Sequence, residues 1–268
     1  MDTLQSLIRS RGLSIDRWNP EEELLVPGRG VGEEEKYMSL LDHYAARLLL
    51  REAIKCKSPS AWIKGRRAVE RFCAPEAFDG FLTQFFDLGV LIPDETGRPL
   101  PRDAVGSFGG TYEWYVSQVL RRDFGCPSAW GVRFGGLDAG GDHDVVAIVS
   151  GRFLYMEVKT APPKHVDLPE IASFVRRIAD IGPDFAILHE DTHLRMKDKI
   201  VPLMVEALSS AAGVEVTFER LEREIFHLAG MIYVVNSKPD LRRNLKLVFR
   251  HHFMTGNPLA KMLISNMK

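Results

Sequence analysis

Cysteine is scarce in this chain. Among 268 residues only Cys56, Cys73 and Cys126 occur, far apart and odd in number. They form no C-x-x-C pair and no zinc-type spacing, which excludes a disulfide framework and a cysteine metal cluster. Reduced, mostly buried thiols are the expectation. Long apolar runs are lacking as well. No stretch approaches the roughly 18 residues that a membrane-spanning helix needs. The residues after Met1 lack the pattern of a signal peptide, so a cytoplasmic protein with no membrane partner is expected. Internal repeats and low-complexity tracts are absent. Net charge is nearly absent too: −1, with an isoelectric point near 6.7, which excludes a chain-wide polycation.

What is present fits an ordinary globular chain, with 45% hydrophobic and 26% charged residues. Such a chain can bury a sizeable core without disulfides or metals, and its length suits one large domain or two small ones. The charge is unevenly spread. Residues 1–35 carry eight acidic and four basic side chains, whereas residues 236–268 carry seven basic and one acidic. That asymmetry allows a local basic face for a polyanion.

Along the chain, the pattern predicts a short helix over 4–8, an irregular stretch over 19–32, and helices over 33–55, 60–72 and 75–89. The last opens on Pro75 and closes on Gly89, as proline and glycine usually punctuate a helix. A short hairpin follows, with strands at 90–92 and 99–101 and a turn over 94–97. Helices and a terminal hairpin in this order resemble a winged helix, with Lys64, Arg66 and Arg67 as its basic patch. A plain helical packing domain is the alternative. The Gly-rich segment 102–110 reads as a boundary, giving a mainly helical unit over 1–105 and a second unit over 106–268. The second unit opens with a helix over 112–124 that carries Glu113 in its first turn. Further helices are predicted over 169–181, 191–212 (with a kink at Pro202) and 240–253, and a helical tail after residue 258. Strands are predicted over 185–188, 214–218 and 231–235. Strands separated by helices argue for an α/β unit with a mixed sheet.

The stretch 140–160, GGDHDVVAIVSGRFLYMEVKT, is the centre of the second unit. Two apolar runs flank Ser150-Gly151, which reads as a β-hairpin with a two-residue turn. Val149 then faces Arg152, Asp144 faces Glu157, and Asp142 faces Lys159. Side chains alternate along a strand, so these four share one face. Opposed carboxylates destabilise a sheet unless something positive stands between them. Lys159 and a bound divalent cation are the two candidates.

Asp144, the step of thirteen residues to Glu157, the triplet Glu157-Val158-Lys159 ending an apolar strand, and a preceding helix bearing Glu113 resemble the PD-(D/E)xK nuclease superfamily. The similarity covers roughly residues 106–250 in element order. It departs from the usual pattern in having His143 where proline precedes the aspartate. The resemblance implies a restriction-endonuclease-like α/β fold, a mixed sheet flanked by helices. It implies that Asp144, Glu157 and the backbone carbonyl of Val158 bind Mg²⁺ or Mn²⁺, and that Lys159 assists the attacking water. Glu113 resembles the family's auxiliary helix carboxylate. Hydrolysis of nucleic-acid phosphodiesters, most often in DNA, is the implied activity, and a homodimer or a partner subunit is compatible with it.

Lys164, Arg176 and Arg177 are candidate phosphate contacts. His189, Glu190 and Asp191 read as strand-end residues capping the next helix, and His251-His252 as surface residues. For Asp144, Glu157 and Lys159 the alternative is a cross-strand salt-bridge cluster. At the level of function, the alternatives are a catalytically silent nucleic-acid-binding protein and a nuclease subunit active only in a larger complex.

Overall fold

The computed structural model describes residues 2–22, 24–28, 30, 32–137 and 141–256. The helical tail expected after residue 258 lies outside the described residues. The chain divides into two compact units, residues 20–115 and residues 1–19 with 116–268. Sequence patterning places the first nineteen residues with the helices. They belong to the sheet because Ser14–Arg17 is a strand, β1, that pairs antiparallel with a strand of the second unit.

The helical unit contains α2 (Glu33–Leu41), α3 (Tyr44–Lys55), α4 (Pro59–Val69) and α5 (Pro75–Asp87), then a hairpin of β2 (Leu91–Pro93) and β3 (Pro99–Pro101). The single helix expected over 33–55 is broken because His43 is extended (φ −85°, ψ 120°). Ser58 caps α4, accepting the Ala61 amide at 3.2 Å, a contact worth about 1 kcal/mol. Inside the unit, Arg47 is buried at 2% exposure. Its guanidinium donates to the Leu41 carbonyl and lies over the Tyr44, Tyr112 and Tyr115 rings at 5.4–5.9 Å.

α6 (Gly109–Phe124) begins earlier than its apolar pattern suggests, because the Tyr112 amide already donates to the Phe108 carbonyl. Glu113 therefore sits in the second turn, and a helix-dipole role, confined to the first turn, does not apply.

The second unit is a mixed α/β structure. Among the described residues its sheet has eight strands in the order β1-β4-β5-β6-β7-β10-β9-β8. The added strands are β4 (Ser128–Gly135), β5 (His143–Val149), β6 (Arg152–Lys159), β7 (Phe185–Glu190), β8 (Glu219–Glu222), β9 (Ile225–Leu228) and β10 (Ile232–Asn236). β6/β7 and β7/β10 are parallel and the other pairs antiparallel. α1 (Asp2–Ser10), α7 (Leu168–Ile181) and α8 (Ile200–Ala212) contribute Leu4, Ile8, Phe174 and Met204 to a core with Val146, Tyr155 and Leu188 on one sheet face. α9 (Leu241–Thr255) sends Phe249 to within 5.1 Å of Phe124 and 6.1 Å of Phe185. No described helix is long and apolar enough to cross a membrane.

The central hairpin has the register that its turn dictates, from Val149↔Arg152 to Val145↔Met156. Ser150 and Gly151 both have positive φ, 48° and 78°. Two such residues in sequence follow the right-handed strand twist, which fixes a two-residue loop.

Two expectations fail after β7. The helix expected over 191–212 begins only at Ile200, so Pro202 lies in its first turn, where proline's missing amide costs nothing. The strand expected over 214–218 forms instead at Glu219–Glu222. The stretch 221–227 supplies most of the β8–β9 hairpin at the sheet's edge, with Ile225 and Phe226 buried.

Candidate functional site

Asp144, Glu157 and Lys159 come together at the open end of the β5–β6 hairpin. The backbone ladder stops at Val145↔Met156. Beyond it the Asp144 carboxylate accepts the Val158 amide at 2.7 Å, a side chain substituting for the next ladder bond. Glu157 is 1% exposed. Its carboxylate lies 2.9 Å from the Lys159 ammonium, 2.9 Å from the Arg177 guanidinium, and within hydrogen-bond reach of the Tyr155 hydroxyl, which donates to it.

These contacts set the charge states. Burial opposes ionisation of Glu157, but Lys159, Arg177 and Tyr155 outweigh it and hold the carboxyl below its usual range. Burial likewise works against charged Lys159, and Glu157, Asp144 and Glu170 more than offset it, so its pKa is raised. Arg177 follows the same pattern. His143, beside the Tyr155 ring at 5.2 Å, is pushed down to about 4 by burial and by Arg177, which keeps it neutral. A glycine is required nearby: Gly141 has φ +81°, and a Cβ there would lie 3.0 Å from Arg177 Nη2.

The remaining expected residues are dispersed. Glu113 is half-buried on the part of α6 that belongs to the helical unit, not the sheet unit. Lys64 and Arg67 are exposed on α4, whereas Arg66 is engaged by Glu70 at 2.7 Å and Asp79 at 2.9 Å. Lys164 is exposed, and Arg176 is exposed with its guanidinium 2.8 Å from the Ser173 hydroxyl. Arg177 differs from both in contacting the Glu157 carboxylate directly. Asp142 is held by Arg17 at 2.5 Å and Arg133 at 2.8 Å, which leaves Asp144 as the aspartate of the site.

Two further readings are corrected. His189, Glu190 and Asp191 cap no helix, because α8 starts nine residues after Asp191 with Lys199 at its N-cap. All three are buried at 1% exposure or less. Asp191 accepts the Ser237 hydroxyl at 2.6 Å. His251 and His252 are half-buried and engaged, where the pattern suggested a plain surface. His252 stacks on Phe185 at 4.1 Å, and His251 Nδ1 lies 2.9 Å from the Tyr233 hydroxyl.

Glu190 has a setting that patterning does not reveal. It is the register partner of Lys159 across the parallel β6–β7 ladder, on the face shared by Leu188 and Tyr155. Neither of its carboxylate oxygens has a hydrogen-bond partner among the described residues. Burial, with Glu170 next, pushes its pKa up to about 8. Also missed is a cleft of about 360 Å³ at the same end of the sheet, lined by His193, Arg195, Arg223, Glu224 and Lys238. These residues follow β7 and β10 or precede β9, so the cleft lies beyond the C-terminal ends of parallel strands, where ligands of open α/β sheets gather.

The donor chemistry at Asp144, Glu157 and the Val158 carbonyl fits a hard divalent cation. All are oxygens, and magnesium typically takes one or two carboxylates and completes its shell with water. Among the described residues, no three His, Cys, Asp or Glu side chains converge as a metal-binding group. Lys159 occupies the approach to Glu157 Oε1, so a cation there displaces its ammonium.

No family model matches the chain, and no curated protein matches it. Among solved structures, protein VC1899 from Vibrio cholerae is similar with a TM-score of 0.46 and 12% identity, over 84% of this chain. The chain spans 58% of that protein's structure. A likeness of this size carries no argument about fold or activity.

Proposed function

We propose that the sheet unit is a metal-dependent nuclease of the PD-(D/E)xK type that hydrolyses nucleic-acid phosphodiesters, with DNA as the expected polymer. One observation carries the reading: the Asp144 carboxylate, the buried Glu157 carboxylate and the Lys159 ammonium sit together at one hairpin end, with Lys159 2.9 Å from Glu157. The order α6-β4-β5-β6-α7-β7 supports it, matching the helix, antiparallel meander, helix and parallel strand of that fold.

In this reading Asp144, Glu157 and the Val158 carbonyl would hold Mg²⁺ or Mn²⁺. The ion would supply a Lewis acid for the phosphate and lower the pKa of a bound water. The chain's own groups do the rest. Lys159 orients the attacking water and offsets the negative charge that grows on the phosphate oxygens. Arg177 and Tyr155 hold the Glu157 carboxylate ionised and in place. Neutral His143 keeps a further positive charge out of the site. In the net step water oxygen bonds to phosphorus, one ester P–O bond breaks, and the departing sugar oxygen gains a proton. Lys164 and Arg176, exposed on the sheet unit itself, would contact phosphates of the polymer. The cationic cleft at Arg195, Arg223 and Lys238 suits the flanking backbone of the polymer.

A second reading has an observation of its own. Glu157 is saturated by Arg177, Lys159 and Tyr155, the arrangement of a structural ion network in a silent nucleic-acid-binding protein or a partner-dependent subunit. Incubating the full chain with plasmid, linear duplex, single-stranded DNA and RNA, in Mg²⁺ or Mn²⁺, separates the two. Cleavage that is abolished by EDTA and by Asp144→Ala supports the nuclease. Binding without cleavage of any substrate supports the silent protein.

A further inference from the structure

A buried carboxyl group without a partner is costly, whether ionised and desolvated or protonated with its polar atoms unsatisfied. Glu190 is in that position at 1% exposure, with both oxygens unpartnered among the described residues. Such a group persists where a partner reaches it in another state. The charged groups facing Glu190 are Glu170 on α7 and Asp191, both negative, and Lys159 and Lys199, both positive. Lys199 already donates to the Lys164 carbonyl at 2.8 Å. Lys159 is different: it is register-paired with Glu190, and adjacent strands lie about 4.8 Å apart. Its ammonium rests on the neighbouring Glu157 at 2.9 Å.

Glu157 is also the carboxylate that would take a divalent ion. An ion there repels Lys159, and the four-carbon stem lets the ammonium cross to the next strand on the same face. Arg177 contacts both Glu157 oxygens, at 3.1 and 2.9 Å, and continues to balance part of its charge when Lys159 leaves.

We propose that Lys159 has two docking positions, Glu157 in the cation-free protein and Glu190 when a divalent cation occupies Asp144 and Glu157. Glu190 is then a positioning residue. It keeps the ammonium beside the phosphate site instead of releasing it to solvent, and it lowers the cost of clearing Glu157 for the ion. The inference rests on the reading of Asp144 and Glu157 as cation ligands.

The test is calorimetric titration of the full chain with Mn²⁺ alone, in wild type, Glu190→Gln, Lys159→Met and the double variant. Glu190→Gln is expected to weaken Mn²⁺ binding about tenfold where Lys159 is present, and to leave it unchanged in the Lys159→Met background. That coupling is one a purely structural role would not produce. Equal weakening in both backgrounds makes Glu190 a direct ligand and overturns the proposal. Unchanged affinity in both also overturns it. Absence of Mn²⁺ binding in wild type and in Lys159→Met removes the underlying cation reading, a result distinct from either. Glu190→Met repeats the comparison if the glutamine variant melts much earlier than wild type.

Discussion

Lys159 and Glu190 are register partners on adjacent parallel strands, yet the Lys159 ammonium lies 2.9 Å from Glu157, on its own strand. The site therefore has one carboxylate with two cations and another with no hydrogen-bond partner among the described residues. Its behaviour follows from that imbalance.

Glu190 makes stability depend on pH in an unusual direction. Its folded-state pKa is near 8, whereas an unfolded glutamate titrates near 4.3. Between those values the folded protein holds a proton that the unfolded chain has released, so stability falls as pH rises through this window and levels above it. Each pKa unit corresponds to about 1.4 kcal/mol, which caps the effect at about 5 kcal/mol. His143, pushed down to about 4, has the opposite slope over part of the same window. The diagnostic is therefore the difference between wild type and Glu190→Gln in urea melts at pH 5, 6.5 and 8. The variant gains on wild type as pH rises; parallel curves contradict the assignment.

Arg177 is expected to matter for stability as well as for chemistry. Removing one partner of a buried ion pair leaves the other charge stranded, at a typical cost of about 3–5 kcal/mol. Lys159 and Tyr155 still contact Glu157, so Arg177→Met should cost less, roughly 2 kcal/mol. Combining it with Glu157→Gln should cost clearly less than the sum of the two single changes. Additive losses in denaturant melts would show that the pair is not coupled.

The hairpin turn gives a test independent of function. Ser150 has φ 48°, a conformation that asparagine tolerates better than serine. Ser150→Asn should stabilise the protein by about 0.5–1 kcal/mol, and Gly151→Val should destabilise it by more. Thermal melts read both, and a loss on Ser150→Asn contradicts the turn assignment.

Much of the site is legible in the sequence. The Ser150-Gly151 link sets the hairpin register, and with it the meeting of Asp144, Glu157 and Lys159. Edge elements are not legible. β1 (Ser14–Arg17) has a single apolar residue, Ile15, and β8 (Glu219–Glu222) has only Leu221, so neither shows a buried period. Backbone pairing makes these strands, and pairing partners distant in sequence leave no local trace. Glu190 is visible in the sequence only as a polar strand end. Its role needs the β6–β7 register, which a crossover through α7 does not reveal. Arg177 reads as a surface helix residue because nothing on α7 itself indicates that its neighbour is the Glu157 carboxylate.

The cationic cleft should contribute affinity without chemistry. Arg195→Ala with Lys238→Ala is expected to weaken binding of a short labelled DNA duplex in Ca²⁺. It should also reduce the slope of log Kd against log salt by about one for each phosphate that the variant no longer neutralises. Fluorescence anisotropy between 50 and 200 mM salt, about the range over which such interactions fade, measures both. An unchanged salt slope would place the polymer elsewhere.

The central claim is that Asp144, Glu157 and Lys159 form a cation-dependent phosphodiesterase centre, and plasmid nicking in Mn²⁺ tests it most directly. Wild type should convert supercoiled DNA to open forms. Lys159→Ala, with an unchanged circular dichroism spectrum, should do so about 100-fold more slowly, the scale of losing one group that stabilises developing charge. Equal rates for the two proteins, or cleavage that persists in EDTA, would contradict the account.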